Sequence, residues 1–399
     1  MEPEPRKLPI RFYEIDLLRF TAALSVVLYH YTYRGYVADN YSPIPFLGLG
    51  RFTRYGFLGV ELFFIISGYV VLLSAQGKTV RQFLLSRITR LYPAFWVACT
   101  LTFLVKRIWG QGPTDTHMSI FLRAEVKQYV FNMTMFQEFF KIGGIDGAYW
   151  SLTVEITFYF LITLLIGYKL MPHLNLCITI WLAYAALPSS IYIGTPFSML
   201  FFPSFAPYFA AGMLFYLIQK PQGQTWQRYV LLLASYILAI RTVIGQARAL
   251  SVIYNDNISP TICAVVITIC FLIFFLVVFR KINFSRFTWL AWPGGLTYPL
   301  YLIHSDIAFI AFHRIGHLFN KYVLLGSTLL VMLVMAYLIH ILIEKRFAKP
   351  LGAQVNKLWL YLDRIVYSGS QTIVHAPVGK SDPRFVSEEE GNRTGSTRN

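Results

Sequence analysis

Runs of about 18–20 apolar residues recur along this 399-residue chain, and a polypeptide patterned that way has few folds open to it. Each run is long enough to cross a bilayer's hydrocarbon core as a helix. The runs are continuous rather than alternating, which argues against a β-barrel. The sequence therefore reads as all-α: a polytopic membrane protein of about ten transmembrane helices. These are expected near 15–33, 57–75, 91–105, 150–168, 174–193, 199–218, 229–246, 260–279, 297–316 and 322–343. Pro93 is expected in the first turn of the third span. Composition agrees, with 56% hydrophobic and only 14% charged residues.

A net charge of +16 suggests nucleic acid only until its location is read. Arg6, Lys7 and Arg11 precede the first span, and Lys78, Arg81, Arg87 and Arg90 lie between the second and third. Lys220, Arg228, Arg280, Lys281 and Arg286 follow in later loops, and Lys345, Arg346 and Lys349 come after the last span. With ten spans all of these fall on one side, as positive-inside charge does, so no nucleic-acid partner is expected and both termini are expected in the cytoplasm. The 106–149 loop conflicts mildly, carrying five basic and four acidic residues, but long loops translocate largely regardless of charge. The first span is expected to act as its own insertion signal. Cys99, Cys177, Cys263 and Cys270 fall in apolar runs, without metal-ligand spacing, and read as small core hydrophobes with no bound metal.

Two stretches outside the spans are long. Residues 34–56 are rich in Tyr, Gly and Pro, and residues 106–149 hold an expected surface helix from about Ser119 to Phe140. That helix is read either as a lid packed on the bundle or as an element of acceptor recognition. The expected organisation is one transmembrane domain over 1–350 and a cytoplasmic tail over 351–399. The tail would begin as an interfacial helix around Leu358 and become disordered from about Ser368.

Ionisable residues inside the spans are the candidates for chemistry, because charge at membrane depth is costly. Arg19 and His30 are eleven positions apart, about 1100° around a helix, so they share one face roughly 16 Å apart. Asp16 lies within about 40° of that face. An imidazole there can move a proton near neutral pH. Equally, Asp16 and Arg19 can form a structural ion pair and His30 a simple hydrogen bond. In the second span Glu61 and Gly68 share a face, with Ser67 beside them; the glycine admits a helix or a ligand, and Arg54 is one candidate partner for the carboxylate. Arg87 and Arg90 are neighbours on a helix, suited to phosphate but also explained by topology charge. Ser151, Glu155 and Tyr159 step by four down the fourth span, with Trp150 marking its outer interface. Tyr301 and His304 share a face of the ninth span, and Glu344 closes the tenth, where Lys345 or Arg346 can pair with it.

Together these segments resemble the acyltransferase 3 family. Arg19 and His30 match its Arg-x10-His signature, Gly59-Val-Glu-Leu-Phe-Phe-Ile-Ile-Ser-Gly68 its second-helix motif, and Arg87-Ile-Thr-Arg90 its Arg-x-x-Arg stretch. Trp150-Ser-Leu-Thr-Val-Glu155 and Tyr298-Pro-Leu-Tyr-Leu-Ile-His304 match two further motifs, so the resemblance covers residues from about 11 to 350. It implies a multi-pass O-acyltransferase of the bacterial inner membrane. Such an enzyme moves an acetyl or other short acyl group from acyl-CoA, a donor substrate rather than a resident cofactor, to a hydroxyl of a cell-surface polysaccharide. His30, Arg19 and Glu155 would be catalytic, and Arg87 and Arg90 would bind the coenzyme. Asp16, Glu61, Ser67, Trp150, Ser151, Tyr301 and His304 would meet substrate. Membrane lipid and polysaccharide-assembly proteins are the expected partners. The Glu344-Lys-Arg-Phe-Ala-Lys-Pro350 ending departs from the family by lacking an early proline, and the tail is too short for the esterase domain that some relatives append. Acylation of a small hydroxylated metabolite and a non-enzymatic glycan flippase are the alternative readings.

Overall fold

A computed structural model describes residues 12–374 except 39, 114, 116 and 222. The described residues are helical, without a β-strand. α1 runs Tyr13–Tyr29 and continues through a π-helical turn at His30–Arg34. α2 is Gly59–Ala75, α3 Val80–Trp109, α4 Trp150–Gly167 and α5 Leu174–Ala186. α6 is Ala206–Gln219, α7 Trp226–Ile253 and α8 Pro260–Val278. α9 (Ala291–Ile303) and α10 (Asp306–Ile315) are separated by a break at His304–Ser305. α11, Lys321–Ile339, passes through a second π-helical turn at His340–Glu344 into α12, Lys345–Val374.

Helix stands at all ten expected span positions. Seven of these helices are long and apolar enough to cross a membrane: α2 (with the turns before it), α3, α4, α6 (with the turn before it), α7, α8 and α11. The other three differ for visible reasons. α1 carries Glu14, Asp16 and Arg19, α5 has only 13 residues, and the ninth segment is broken at His304–Ser305.

The core is built around α2 and α6, whose apolar stretches are 83% buried against 22% for α7. Gly68 and Gly212 let these two helices touch backbone to backbone: a Cβ on Gly68 would stand 2.1 Å from the Phe209 carbonyl oxygen. The packing role expected of Gly68 thus falls to a helix crossing. α1 packs against α2 and α9.

Three expectations are corrected. The third helix begins at Val80, where Thr79 and Gln82 form a capping box, so Pro93 lies inside it rather than in its first turn. The expected Ser119–Phe140 helix is three short pieces, Ile120–Leu122, Val126–Asn132 and Gln137–Phe140. Met135 adopts positive φ there, and Arg123 and Glu125 are extended; the Asn132 side chain ties the second piece to the Gly143–Ile145 backbone. Finally, α12 runs through Val374, so 368–374 are helical where disorder was expected; the rest of the expected disordered tail lies outside the described residues. Contacts divide the chain at Gly352, and Leu358, Tyr361, Leu362 and Ile365 of the second unit are exposed on the helix expected there.

Candidate active site

Five helices bring polar side chains to one cavity of about 90 Å³. Arg19 comes from α1, Ser67 from α2 and Arg90 from α3; Ser151 and Glu155 come from α4, and Thr297, Tyr298 and Tyr301 from α9. Arg90 is exposed and marks the mouth, whereas Tyr301 is buried. On α2 the wall is Val60, Phe63, Phe64 and Ser67, a helical i, i+3, i+4, i+7 stripe. Glu155 Oε1 accepts hydrogen bonds from Ser67 Oγ at 3.4 Å and from the Tyr159 hydroxyl one turn below. The Ser151 hydroxyl meets that of Tyr301 at 2.6 Å. Arg19 and Glu155 thus sit within one cavity, with the exposed Arg90 guanidinium at its mouth.

Beyond Tyr301 stands a histidine pair. The Tyr301 ring lies 5.4 Å from that of His304, and His304 Nε2 lies 2.8 Å from His30 Nδ1, with the two imidazoles nearly parallel and their centroids 4.9 Å apart, edge to edge as an N–H···N bond requires. The second nitrogen of His304, Nδ1, is 2.8 Å from the Tyr301 carbonyl oxygen. A carbonyl only accepts, so His304 Nδ1 carries the proton and its Nε2 has the lone pair. His30 Nδ1 must then donate, which leaves His30 Nε2 as the basic nitrogen of the pair. His30 opens the π-helical turn that ends α1. Such turns displace one residue from the helical ladder and often lie at functional sites.

The ninth segment breaks where His304 must be held, and a buried ionic cluster holds it. Asp306, first residue of α10, accepts Lys106 Nζ at 2.8 Å and Gly147 N at 3.2 Å. Its own N–H donates to Asp146 Oδ2 at 3.0 Å, and Lys106 also donates to the Ile145 carbonyl at 2.7 Å. Burial, then the neighbouring Asp306 carboxylate, push the Asp146 carboxyl well above its usual range. Tyr149 OH adds a bond to the Leu302 carbonyl at 3.1 Å. The start of α4 and the α9–α10 break are thereby locked together beside the histidines.

The structure sorts the candidates read from sequence. Arg19, Arg90, Ser67, Ser151, Glu155 and Tyr301 meet at the cavity, and His30 and His304 meet each other. Arg19 lines the cavity and His30 does not; Tyr301, which lines it, carries its ring 5.4 Å from that of His304. Asp16 packs against Gly294 of α9, whose absent Cβ would lie 2.6 Å from the Asp16 Cβ. Arg87 is buried under the rings of Phe83 and Tyr159, with Nη1 lacking a hydrogen-bond partner. Trp150 packs edge-on to Phe64 and beside Phe205 and does not line the cavity. Glu61 is absent from the cavity wall too: it is one step round α2 from Val60, buried beside Gln246 of α7. Arg54 does not serve it, since Arg54 pairs with Asp256 at 3.2 Å. Glu344 pairs with His340 one turn back, at 2.5 Å, rather than with Lys345 or Arg346. Sequence reasoning missed Lys106, Asp146 and Asp306 as a group and His340; the available signal was a lone charge at the edge of an apolar run.

A family model described as "Acyltransferase domain" matches residues 12–345, and the chain belongs to that family. It is 27% identical over 209 residues to Peptidoglycan O-acetyltransferase OatA of Listeria monocytogenes, covering 45% of this chain and 31% of that one. It is also 27% identical over 157 residues to the Putative peptidoglycan O-acetyltransferase YrhL of Bacillus subtilis, covering 36% of this chain and 22% of the relative. The matched stretches thus span a third or less of these relatives' length. No solved structure matches.

Proposed function

We propose that this chain is an O-acyltransferase of the bacterial inner membrane, moving an acetyl or other short acyl group from acyl-CoA to a sugar hydroxyl of a cell-surface polysaccharide. The observation that carries the reading is a cationic cavity, Arg19 with Arg90, leading through Tyr301 to a histidine whose tautomer is fixed. The relatives' names make a peptidoglycan amino sugar the first acceptor to try.

In this reading both termini and the Arg81–Arg90 segment face the cytoplasm, so the cavity mouth at Arg90 faces the donor. Arg90 and Arg19 hold phosphate or thioester oxygens, and the small cavity favours a short acyl chain. His30 Nε2 takes the proton of the acceptor hydroxyl as its oxygen attacks the thioester carbonyl. The carbon–oxygen bond forms, the carbon–sulfur bond breaks, and the imidazolium returns its proton to the departing thiolate. His304 accepts from His30 Nδ1–H throughout and so stabilises the developing positive charge. A general base contributes about 10²–10⁴-fold, and positioning supplies much of the rest.

The test is transfer in proteoliposomes loaded with radiolabelled acetyl-CoA on the Arg90 side and a chito-oligosaccharide on the other. Label should appear on sugar with the wild-type chain and vanish with His30→Ala. Label confined to coenzyme A in every case, together with unchanged glycan acetylation in cells lacking the chain, refutes the reading.

A further inference from the structure

A second cavity, of about 430 Å³, is lined by Tyr41 of the 34–56 stretch, by residues of the 106–149 stretch and by Asp306, two residues after His304. This volume is within the range of about 300–1,000 Å³ usual for small-ligand sites. Its composition is unlike that of the first cavity. Phe121 contributes an exposed ring, 6.1 Å from that of the buried Tyr41. Arg123 and Glu125 stand on the extended strip between Ile120–Leu122 and Val126–Asn132. Among the described residues neither is in an ion pair. The facing wall is bare backbone at Gly143 and Gly144, whose carbonyls are held by Gln128 Nε2 at 3.1 and 2.9 Å. Asp306 and Gly147 form the floor.

The exposed Phe121 ring suits the apolar C–H face of a pyranose, and planar polar groups suit its hydroxyls. A guanidinium and a carboxylate side by side disfavour a polyanion, and five polar or charged residues with glycine backbone disfavour an acyl chain. Gly143 is where a side chain would matter most: a Cβ there meets nothing nearer than Gln128 Nε2 at 3.8 Å, so it fits without clash and enters the cleft. The cleft is also coupled to the histidine pair. Tyr41 stacks on Phe309 at 5.0 Å, the Phe309 ring lies 6.2 Å from that of His30, and Asp306 follows His304 by two residues.

From this arrangement we propose that the Tyr41–Arg123–Gly143 cleft is the acceptor subsite and binds a pyranose residue of the glycan. This deepens, and rests on, the reading of the chain as an enzyme that acylates sugars. Donor would then enter past Arg90 and acceptor past Arg123, meeting at His30.

The test measures sugar binding apart from chemistry. Saturation-transfer NMR would use the full chain in a detergent without a sugar headgroup, with chitotriose and maltotriose as probes. Wild type and His30→Ala should both saturate ring protons of at least one trisaccharide. Gly143→Trp should reduce that signal at least tenfold, and Arg123→Ala should weaken affinity about tenfold. Should Gly143→Trp fail to fold, Arg123→Ala and Glu125→Gln, both surface changes, decide the matter. No saturation of either sugar by wild type, or full saturation with the folded Gly143→Trp or both surface variants, overturns the cleft. Sugar binding without acyl transfer would instead sink the enzymatic reading and leave the cleft standing.

Discussion

The imidazoles of His30 and His304 lie nearly parallel, 5° apart, with His30 Nδ1 2.8 Å from His304 Nε2. The Tyr301 carbonyl on the far nitrogen of His304 fixes the proton positions along the whole chain. His304 is thus a positioning residue in the proposed reaction, and its loss should differ in kind from loss of His30. His30→Ala should abolish acyl transfer, to below about a tenth of wild type. His304→Ala should lower kcat about ten- to a hundredfold with donor KM unchanged, because His30 then loses both its tautomer and its acceptor. His304→Gln, whose amide oxygen can accept from His30 Nδ1–H, should recover part of the loss. Steady-state kinetics on the three variants check this; equal kcat for His304→Ala and wild type rules the relay out.

Arg87 and Arg90 are separated by their surroundings. Arg90 opens onto the cavity with Arg19 and Glu155, whereas Arg87 lies between Phe83 and Tyr159. Arg90→Ala should therefore raise apparent donor KM roughly ten- to a hundredfold, the worth of a charge-assisted hydrogen bond at about 1.5–3 kcal/mol, with acceptor dependence unchanged. Arg90→Lys should rescue only partly, since an ammonium lacks the fork. Arg87→Ala should instead lower thermal stability with donor KM little changed, because it removes two ring contacts away from the cavity. Donor titrations in vesicles and unfolding curves in detergent separate the two effects.

The helical membrane architecture was legible because an apolar run of bilayer length has one economical solution. Arg19, Glu155 and Ser151 were legible as charges or polar stripes within such runs. What spacing within one helix does not reveal is the meeting of distant helices. Ser151 and Tyr301 are 150 residues apart, and Lys106 and Asp306 are 200 apart. Glu61 misled for the same reason: its own helix presents Val60 and Phe64 to the cavity, while its neighbours on α6–α8 decide where it is buried. The Ser119–Phe140 helix is broken where the backbone is extended at Arg123 and Glu125 and left-handed at Met135, features the apolar pattern does not encode.

The Lys106–Asp306 pair is almost fully buried, at 1% and 4% side-chain exposure. Removing one partner leaves an uncompensated charge, so Lys106→Met and Asp306→Leu should each destabilise by about 3–5 kcal/mol. The double variant should cost less than the two singles together. A double-mutant cycle on thermal unfolding in detergent measures this coupling, and strict additivity would contradict the assignment.

Asp146 supplies a pH dependence. Its carboxyl is held well above the ordinary value, first by burial and then by Asp306, so the folded chain binds a proton that the unfolded chain releases near pH 3.9, an approximate reference value. The stability from that proton is complete below the unfolded value and is lost as pH rises through the folded one. Unfolding midpoints should therefore fall as pH is raised from mildly acidic to alkaline. Asp146→Asn should flatten that slope while lowering stability by about 1 kcal/mol, since its amide nitrogen cannot accept one of the two backbone N–H groups that the carboxyl serves. A slope of equal size in Asp146→Asn would assign the dependence to another group.

The α2–α6 crossing gives a contrast that needs no activity. A Cβ on Gly68 would lie 2.1 Å from the Phe209 carbonyl oxygen, and one on Gly212 2.0 Å from that of Ile65. Both obstacles are backbone atoms of buried helices, so neither can step aside as a flexible side chain would. Gly68→Ala and Gly212→Ala must push the helices apart, and each should destabilise by about 1–3 kcal/mol or more. Gly245, within α7, has nothing within 4 Å of its missing Cβ. There the same substitution adds no clash and removes glycine's conformational cost, so Gly245→Ala should be neutral or stabilise by about 0.5–1 kcal/mol. Fluorescence-detected size exclusion after heating ranks the three variants in one experiment. If Gly245→Ala lost as much stability as Gly68→Ala, helix-interior glycine would matter here for some reason other than backbone approach.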